Sequence, residues 1–329
     1  MTVLITGASG LVGSAVTRNL QAHGHKVRAL LRSGSPRLNL RNLPVETVIG
    51  DLREPKSLTA ALRGCSGLIH AAADYRLWTR DPSELYATNV EGTRTLLRLA
   101  ADAGVERIVY TSSVATLRLT GSETPADETC EATLSDMTGD YKRSKYLAER
   151  VVLELVRDEG LPAIIVSPSS PIGPGDVRPT PTGRIILDAA LRRMPAYVET
   201  GLNVVHVDDV AEGHRLALED GKLGGVYILG GENKTLKEIL DIVDEQMECR
   251  QRRLRLPHRL VLPLAYGAEA WARRFGGRPF ATVDGVKMAS QPMYFSSAKA
   301  EATLGYRHRP AREAIADALA WFKTHGYLQ

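Results

Sequence analysis

Tyr141 and Lys145 stand four residues apart in Tyr141-Lys142-Arg143-Ser144-Lys145, a spacing that brings two side chains to one face of a helix. A free tyrosine has a pKa of about 10 and exchanges protons poorly near neutrality. A neighbouring positive charge favours the phenolate and lowers that value. Such a phenol can give a proton to a carbonyl oxygen or take one from an alcohol. Upstream, Thr111-Ser112-Ser113 closes an apolar run, and a hydroxyl there can polarise the same oxygen. Each piece also has a plain structural meaning: a surface Tyr–Lys pair, and serines that cap a strand end.

The partner for such chemistry is suggested at the N-terminus. Thr6-Gly7-Ala8-Ser9-Gly10-Leu11-Val12-Gly13 has the spacing G-x-x-G-x-x-G. It follows an apolar run and opens an amphipathic one. One glycine permits a tight turn, one lets backbone N–H groups approach a pyrophosphate, and one allows close helix–strand packing. The free N–H groups of the helix start complete an anion site. Gly7, Ser9, Gly10, Leu11 and Val12 are therefore expected to hold a nicotinamide dinucleotide, with Lys145 on its nicotinamide ribose. Its oxidised ring adds a second positive charge near Tyr141. After the second strand the chain reads Leu30-Leu31-Arg32-Ser33, where an NAD-binding protein usually carries an acidic residue for the ribose 2′-hydroxyl. Arg32 can pair with a 2′-phosphate, so NADP(H) is expected ahead of NAD(H). The alternatives are an arginine facing solvent or stacked on adenine. Gly50-Asp51-Leu52 offers a carboxylate to the adenine amino group, or a turn or N-cap aspartate.

These residues need a scaffold, and the first 170 residues alternate short apolar runs with amphipathic stretches, the pattern of βαβ units. Strands are expected at Val3–Thr6, Val27–Leu31, Val45–Ile49, Leu68–His70, Arg107–Tyr110 and Ala163–Val166. Helices are expected at Leu11–Ala22, Glu84–Ala103 and Tyr141–Arg157. The prolines and glycines from Pro168 to Pro181 predict a long loop. Later come strands Val204–Val207 and Val226–Leu229 and helices Leu236–Met247 and Pro310–Lys323. The fold class is α/β: a doubly wound, parallel Rossmann sheet with helices on both faces and a smaller C-terminal α/β lobe. Residues 1–170 form the dinucleotide domain, to which residues 200–230 return, and 171–329 are mainly substrate lobe.

Composition adds exclusions. Hydrophobic and charged fractions of 43% and 24% and a net charge of +4 are ordinary for a globular protein and give no reason to expect nucleic acid. Arg250, Arg252, Arg253 and Arg255 cluster, as a solvated edge or as a contact to nucleic acid or an acidic membrane surface. Cys65, Cys130 and Cys249 are scattered, so neither a disulfide framework nor a metal site is expected. A first strand at Thr2 or Val3 leaves no room for a signal peptide, and no apolar run approaches the roughly 20 residues of a membrane span. A cytoplasmic protein is expected, with peripheral membrane contact open.

Together, the glycine loop, Asp51-Leu52, His70-Ala71-Ala72-Ala73, Asn89, Ser113, Tyr141 and Lys145 resemble an extended short-chain dehydrogenase/reductase. The resemblance implies that Ser113, Tyr141 and Lys145 are the catalytic triad. It implies that Ala71, Ala72, Ala73 and Thr111 line the cofactor, that Asn89 supports the central helix, and that Pro168, Ser169 and Ser170 lie beside the nicotinamide carboxamide. It also implies that Val204–Ala211 brings back a strand and helix, and that Glu84–Ala103 and Tyr141–Arg157 can build a homodimer four-helix bundle, a monomer being the alternative. Ala73-Asp74-Tyr75-Arg76-Leu77-Trp78, Pro179–Arg184 and Tyr294–Ala300 further resemble the hopanoid-associated sugar epimerase group, akin to dihydroflavonol reductases and suggestive of lipid metabolism. The expected function is ketone–alcohol redox with NADP(H) on a hydrophobic, isoprenoid-, sterol- or flavonol-like small molecule. Tyr75 and Trp78 form a substrate wall or pack the lobe interface, and Arg184 is a substrate contact or a surface charge. Nucleotide-sugar epimerisation with tightly held NAD, and a non-enzymatic NADP(H) sensor, are the alternatives.

Overall fold

A computed structural model describes residues 1–329 apart from 77, 80, 122–123, 278–281 and 329. Leu77 of the motif quoted above thus lies outside the described residues. Twelve strands occur among them: β1 (Thr2–Thr6), β2 (Lys26–Leu31), β3 (Glu46–Ile49), β4 (Gly67–His70), β5 (Arg107–Thr111), β6 (Ala163–Pro168), β7 (Ser170–Ile172), β8 (Ala196–Val198), β9 (Gly201–His206), β10 (Val226–Leu229), β11 (Glu232–Thr235) and β12 (Leu254–Leu256). The helices are α1 (Leu11–Ala22), α2 (Pro55–Leu62), α3 (Ser83–Tyr86), α4 (Gly92–Asp102), α5 (Gly139–Glu159), α6 (Pro181–Ala190), α7 (Val207–Asp220), α8 (Leu236–Gln246), α9 (His258–Phe275), α10 (Val283–Met288), α11 (Ala298–Leu304) and α12 (Ala311–Thr324).

Seven strands form one parallel sheet in the order β10-β6-β5-β4-β1-β2-β3. Chain order reverses between β1 and β4, which opens a crevice at the carboxyl ends of these two strands, where ligands of such sheets bind. Alternation along each strand feeds two cores. Val3 and Ile5 pack with Val16 and Leu20 of α1 and Val210 of α7. Leu4 points the other way, to Leu58, Leu97 and Val152. A third core joins Ile186, Leu240, Ile315 and Phe322 in the C-terminal part. Every residue of β6 is buried, which is why the sequence shows it as an unbroken apolar run.

The expected helix from Glu84 to Ala103 is continuous but not regular. Between α3 and α4, Ala87–Glu91 form a π-turn, a feature that frequently marks a functional site. The helix expected at Tyr141–Arg157 runs longer, Gly139–Glu159, and ends on Gly160 in the left-handed conformation (φ 67°). The stretch 168–181 is not all loop. Ser170–Ile172 pair with β9 as a strand, and Pro181 occupies the first turn of α6 behind the N-cap Thr180, whose hydroxyl accepts from Gly183 N. Proline tolerates that position because its missing N–H would have had no partner there. Val207 likewise leaves the expected strand to start α7.

Candidate active site

The glycine loop joins β1 to α1 at the crevice. Gly7 has φ +74°, and a Cβ there would lie 2.8 Å from Ala72 N and 2.9 Å from Ala71 O. The loop can therefore press against the segment after β4 only as glycine. A Cβ on Gly13 would run into the carbonyl oxygen of Gly7. Gly10 caps α1 with no side-chain hydrogen bond, so the first N–H groups of the helix, from Leu11 and Val12 onward, are left for an anion. The Leu11 side chain belongs to the core, with Val12 packed against it, so only their backbone is offered. Asn39, which sequence reasoning missed, donates from Nδ2 to Ser9 O (3.2 Å) and Gly175 O (2.8 Å). It ties the phosphate loop to the loop after β7.

Beside this cradle, Arg32 is exposed at the end of β2 and its guanidinium makes no hydrogen bond among the described residues. Asp51 is drawn below the usual carboxylate range by Arg53, whose Nε and backbone N bond one carboxylate oxygen and whose Nη2 bonds the other. Asp51 thus serves as the turn aspartate, the alternative to an adenine contact. Leu52 is buried, and its Cβ lies beside Gly92. Ala71 N donates to Thr6 O and Ala72 N to Thr6 Oγ1, at 3.3 and 3.2 Å, which fixes the Ala71–Ala73 strip along the crevice.

A directed hydrogen-bond chain runs beneath that strip. Thr6 Oγ1 accepts from Ala72 N and gives its hydrogen to His70 Nδ1 (2.7 Å). Thr93 Oγ1 gives its hydrogen to Asn89 O (2.6 Å), so it must accept from His70 Nε2 (2.9 Å). The imidazole is therefore neutral with its proton on Nε2, and burial pushes its pKa down to about 3. Asn89, in the π-turn, accepts from Asp74 N and donates to Asp74 O and Ser144 Oγ. The supporting role that the resemblance implies for Asn89 thus has a concrete form: it binds the loop after β4 to the turn of α5 that carries Lys145.

The three catalytic candidates come from two elements at the carboxyl edge. Ser113 follows β5, and its Oγ accepts from Ala115 N at 3.1 Å. Tyr141 and Lys145 lie on successive turns of α5. Burial raises the Tyr141 phenol, and a hydrogen bond with Ser113 pulls the other way. Ser113 and Tyr141 are therefore brought together. Lys145 Nζ, however, donates to Tyr110 Oη (3.0 Å) and Thr111 O (2.8 Å) and sits over the Tyr110 ring. The depressed tyrosine pKa expected from the sequence is absent in this state, because burial dominates and the ammonium is bound elsewhere. Burial also brings Lys145 down to about 8, opposed by Glu149.

Glu149 is a further participant that the motif reading missed. It extends the Tyr141–Lys145 spacing by four more residues, so the three share one helix face. Its buried carboxylate accepts from Ser112 Oγ and from Thr116 Oγ1 (3.0 Å). Thr111 Oγ1 meets His214 Nε2 at 2.9 Å, and His214 Nδ1 donates to Val210 O. The Thr111 hydroxyl is therefore engaged by α7, and its carbonyl is the part facing Lys145.

A cleft of about 310 Å³ is lined by Leu117, Leu119, Met137, Lys142 and Met288, among others, with Lys142 next in sequence to Tyr141. Among the described residues, Trp78 Nε1 is buried without a hydrogen-bond partner, as are Ser167 Oγ and Ser169 Oγ. Ser169 N donates to Leu229 O, Pro168 ends β6, and Ser170 begins β7. Buried polar groups in folded proteins are nearly always bonded, so these orphaned groups, with the side-chain-free cradle at Gly7 and Gly13, fit a polar ligand such as a dinucleotide. Tyr75 is 44% exposed. Arg184 is exposed on α6, 3.8 Å from Asp188, and is not brought to this cleft. Among the described residues no cluster of potential metal ligands occurs.

The chain is an NAD(P)-dependent oxidoreductase of the extended short-chain dehydrogenase/reductase type. It belongs to the NAD dependent epimerase/dehydratase family, whose pattern matches residues 3–230. It is 44% identical over 329 residues to a putative dihydroflavonol 4-reductase of Synechocystis sp., covering 99% of this chain and 95% of that one. It is 36% identical to sterol demethylase protein B of Methylococcus capsulatus over the full length of both. The crystal structure of gox2253 superimposes with a TM-score of 0.90 at 51% identity, covering 100% of this chain and 99% of the other.

Proposed function

We propose that the protein interconverts a ketone and a secondary alcohol with NADP(H) on a hydrophobic substrate. The observation that carries this reading is Arg32, an exposed guanidinium with no hydrogen-bonded partner among the described residues, at the end of β2 where a 2′-phosphate would lie. Two further features support it: apolar Leu117, Leu119, Met137 and Met288 in the cleft wall, and relatives named as reductases. A bound nicotinamide supplies hydride-transfer chemistry. The chain supplies the rest. Gly7 to Val12 seat the pyrophosphate, Ala71 to Ala73 and Pro168 to Ser170 flank the cofactor, and residues 171–329 mainly hold the substrate. Ser113 and Tyr141 meet the substrate oxygen, and Tyr141 gives or takes its proton. Lys145 anchors the ribose and supplies positive charge. A sensor would need no such proton-transfer set.

Arg118 and Lys142 in the same cleft favour, as the second reading, a nucleotide-sugar epimerase whose diphosphate they would bind. The experiment follows a deuterium label from C4 of NADPH. The proposal expects one equivalent of NADPH consumed per alcohol formed, with the label on the carbinol carbon. It expects Arg32→Glu to lower the preference for NADPH by at least about tenfold, or 1.4 kcal/mol. Tightly retained NAD with no net consumption would overturn the reductase reading, and an unchanged preference would overturn the role of Arg32.

A further inference from the structure

Helix α9 carries an apolar stripe that no other part of the described chain covers. Leu260, Leu264, Trp271 and Phe275 are 62%, 57%, 66% and 64% exposed. Their spacings of four, seven and four residues align them on one face at about 100° per residue. The Trp271 and Phe275 rings lie 4.3 Å apart. The opposite face is already in use. Ala265 and Ala272 are buried, Glu269 accepts from Val283 N at 2.7 Å, and His258 bonds to Glu199 O. The stripe is therefore the outer face of an anchored helix.

Charge indicates what covers it. Residues 250–275 contain seven arginines and a single carboxylate, Glu269, and that carboxylate is turned toward Val283. Arg253 and Arg255 pair with Asp244 and Glu199, whereas Arg250, Arg252, Arg259 and Arg274 are exposed with no ion pair among the described residues. Tyr266 is exposed as well; Arg274 borders the stripe about 40° from Leu260, and Arg259 and Tyr266 follow on the same side at about 100° and about 120°. Leucine and tryptophan on one face with arginine and tyrosine at its border is the make-up of a helix lying in a membrane interface. None of the described helices is long and apolar enough to cross a membrane. A second copy of the chain would bring the same positive surface against itself.

We propose that α9 docks this protein on a bilayer containing anionic lipid, with Leu260, Leu264, Trp271 and Phe275 among the acyl chains and the arginines at the headgroups. The helix also sits beside the chemistry. It packs on α10, which lends Lys287 and Met288 to the cleft and sets Asp284 against Gly139 at the start of α5. Docking would thus bring the cleft near the lipid surface. The inference does not rest on which substrate is used.

The test is flotation of the full chain with vesicles of phosphatidylcholine alone or with about 30 mol % phosphatidylglycerol. The proposal expects at least about tenfold stronger partition onto the anionic vesicles, reduced by salt. The double variant Leu264→Glu/Trp271→Glu should abolish it while leaving the melting temperature and NADPH binding unchanged. Wild-type protein that floats with neither vesicle, or a double variant that still floats, would overturn the proposal. So would a solution mass that halves in the double variant, because the stripe would then be a dimer interface.

Discussion

At the carboxyl edge of the central sheet, polar groups are joined into directed chains. Ala72, Thr6, His70, Thr93 and Asn89 form one, and Lys145, Tyr110 and Thr111 another. Donors and acceptors from β1, β4, β5, the π-turn and α5 are matched, and the participants are nearly all buried. The cleft beside Lys142 is built otherwise, from Leu117, Leu119, Met137 and Met288 on short turns and the small helix α10, with Arg118, Asp136, Lys142 and Lys287 also in its lining. The first region holds atoms to the tolerance that proton transfer demands. The second offers shape and polarity, which can vary without disturbing the sheet. On the function proposed above, reaction type and substrate choice would be carried by separate parts of the molecule.

The largest expected effect lies at the first region. Tyr141→Phe should lower kcat by about 10²–10⁴-fold, the usual worth of a positioned proton donor, with KM little changed. Steady-state kinetics on the purified variant would break the contrast if kcat held and KM rose.

Next comes acid. His70 and His214 are buried neutral, with pKa values pushed down to about 3 and about 4, against about 6.5 in an unfolded chain. Between those limits the unfolded state binds more protons. Stability is therefore held above pH 6.5 and lost as pH falls, by about 2 kcal/mol per histidine on reaching pH 5. Urea midpoints at pH 7.5 and 5 should show a smaller loss for His214→Gln than for the wild type. An identical pH dependence would mean that His214 is not the buried base the structure shows.

The smallest effect belongs to the cleft. Met288→Ala and Leu119→Ala should raise KM by about three- to tenfold, the worth of a partly buried apolar contact, and leave kcat and melting temperature nearly unchanged. A fall in kcat of the size expected for Tyr141→Phe would show that the cleft and the catalytic edge act as one unit.

Much of the sheet was readable in the chain because its strands are short apolar runs between turn residues. The glycine loop was readable because β1, the loop and α1 are contiguous. Tyr141 and Lys145 were found because helical periodicity alone puts them on one face, and the same rule would have found Glu149. The strand β7 was hidden by the prolines around it, since its partner β9 lies about thirty residues further on in the sequence. The π-turn at Ala87–Glu91 left no mark in periodicity over so short a span.

The sequence by itself determined the residue types: glycines where a Cβ would collide, a phenol and an amine one helical turn apart, and an arginine in place of an acidic residue after β2. Tertiary structure alone decided where protons and charges sit. His70 has its tautomer because Thr93 donates elsewhere, and Lys145 is turned to Tyr110 rather than to Tyr141 because β5 and α5 meet there. Burial, which no local pattern encodes, holds the Tyr141 phenol up and the Lys145 ammonium down. Local spacing is written in the chain, whereas desolvation and hydrogen-bond direction arise only when distant segments meet.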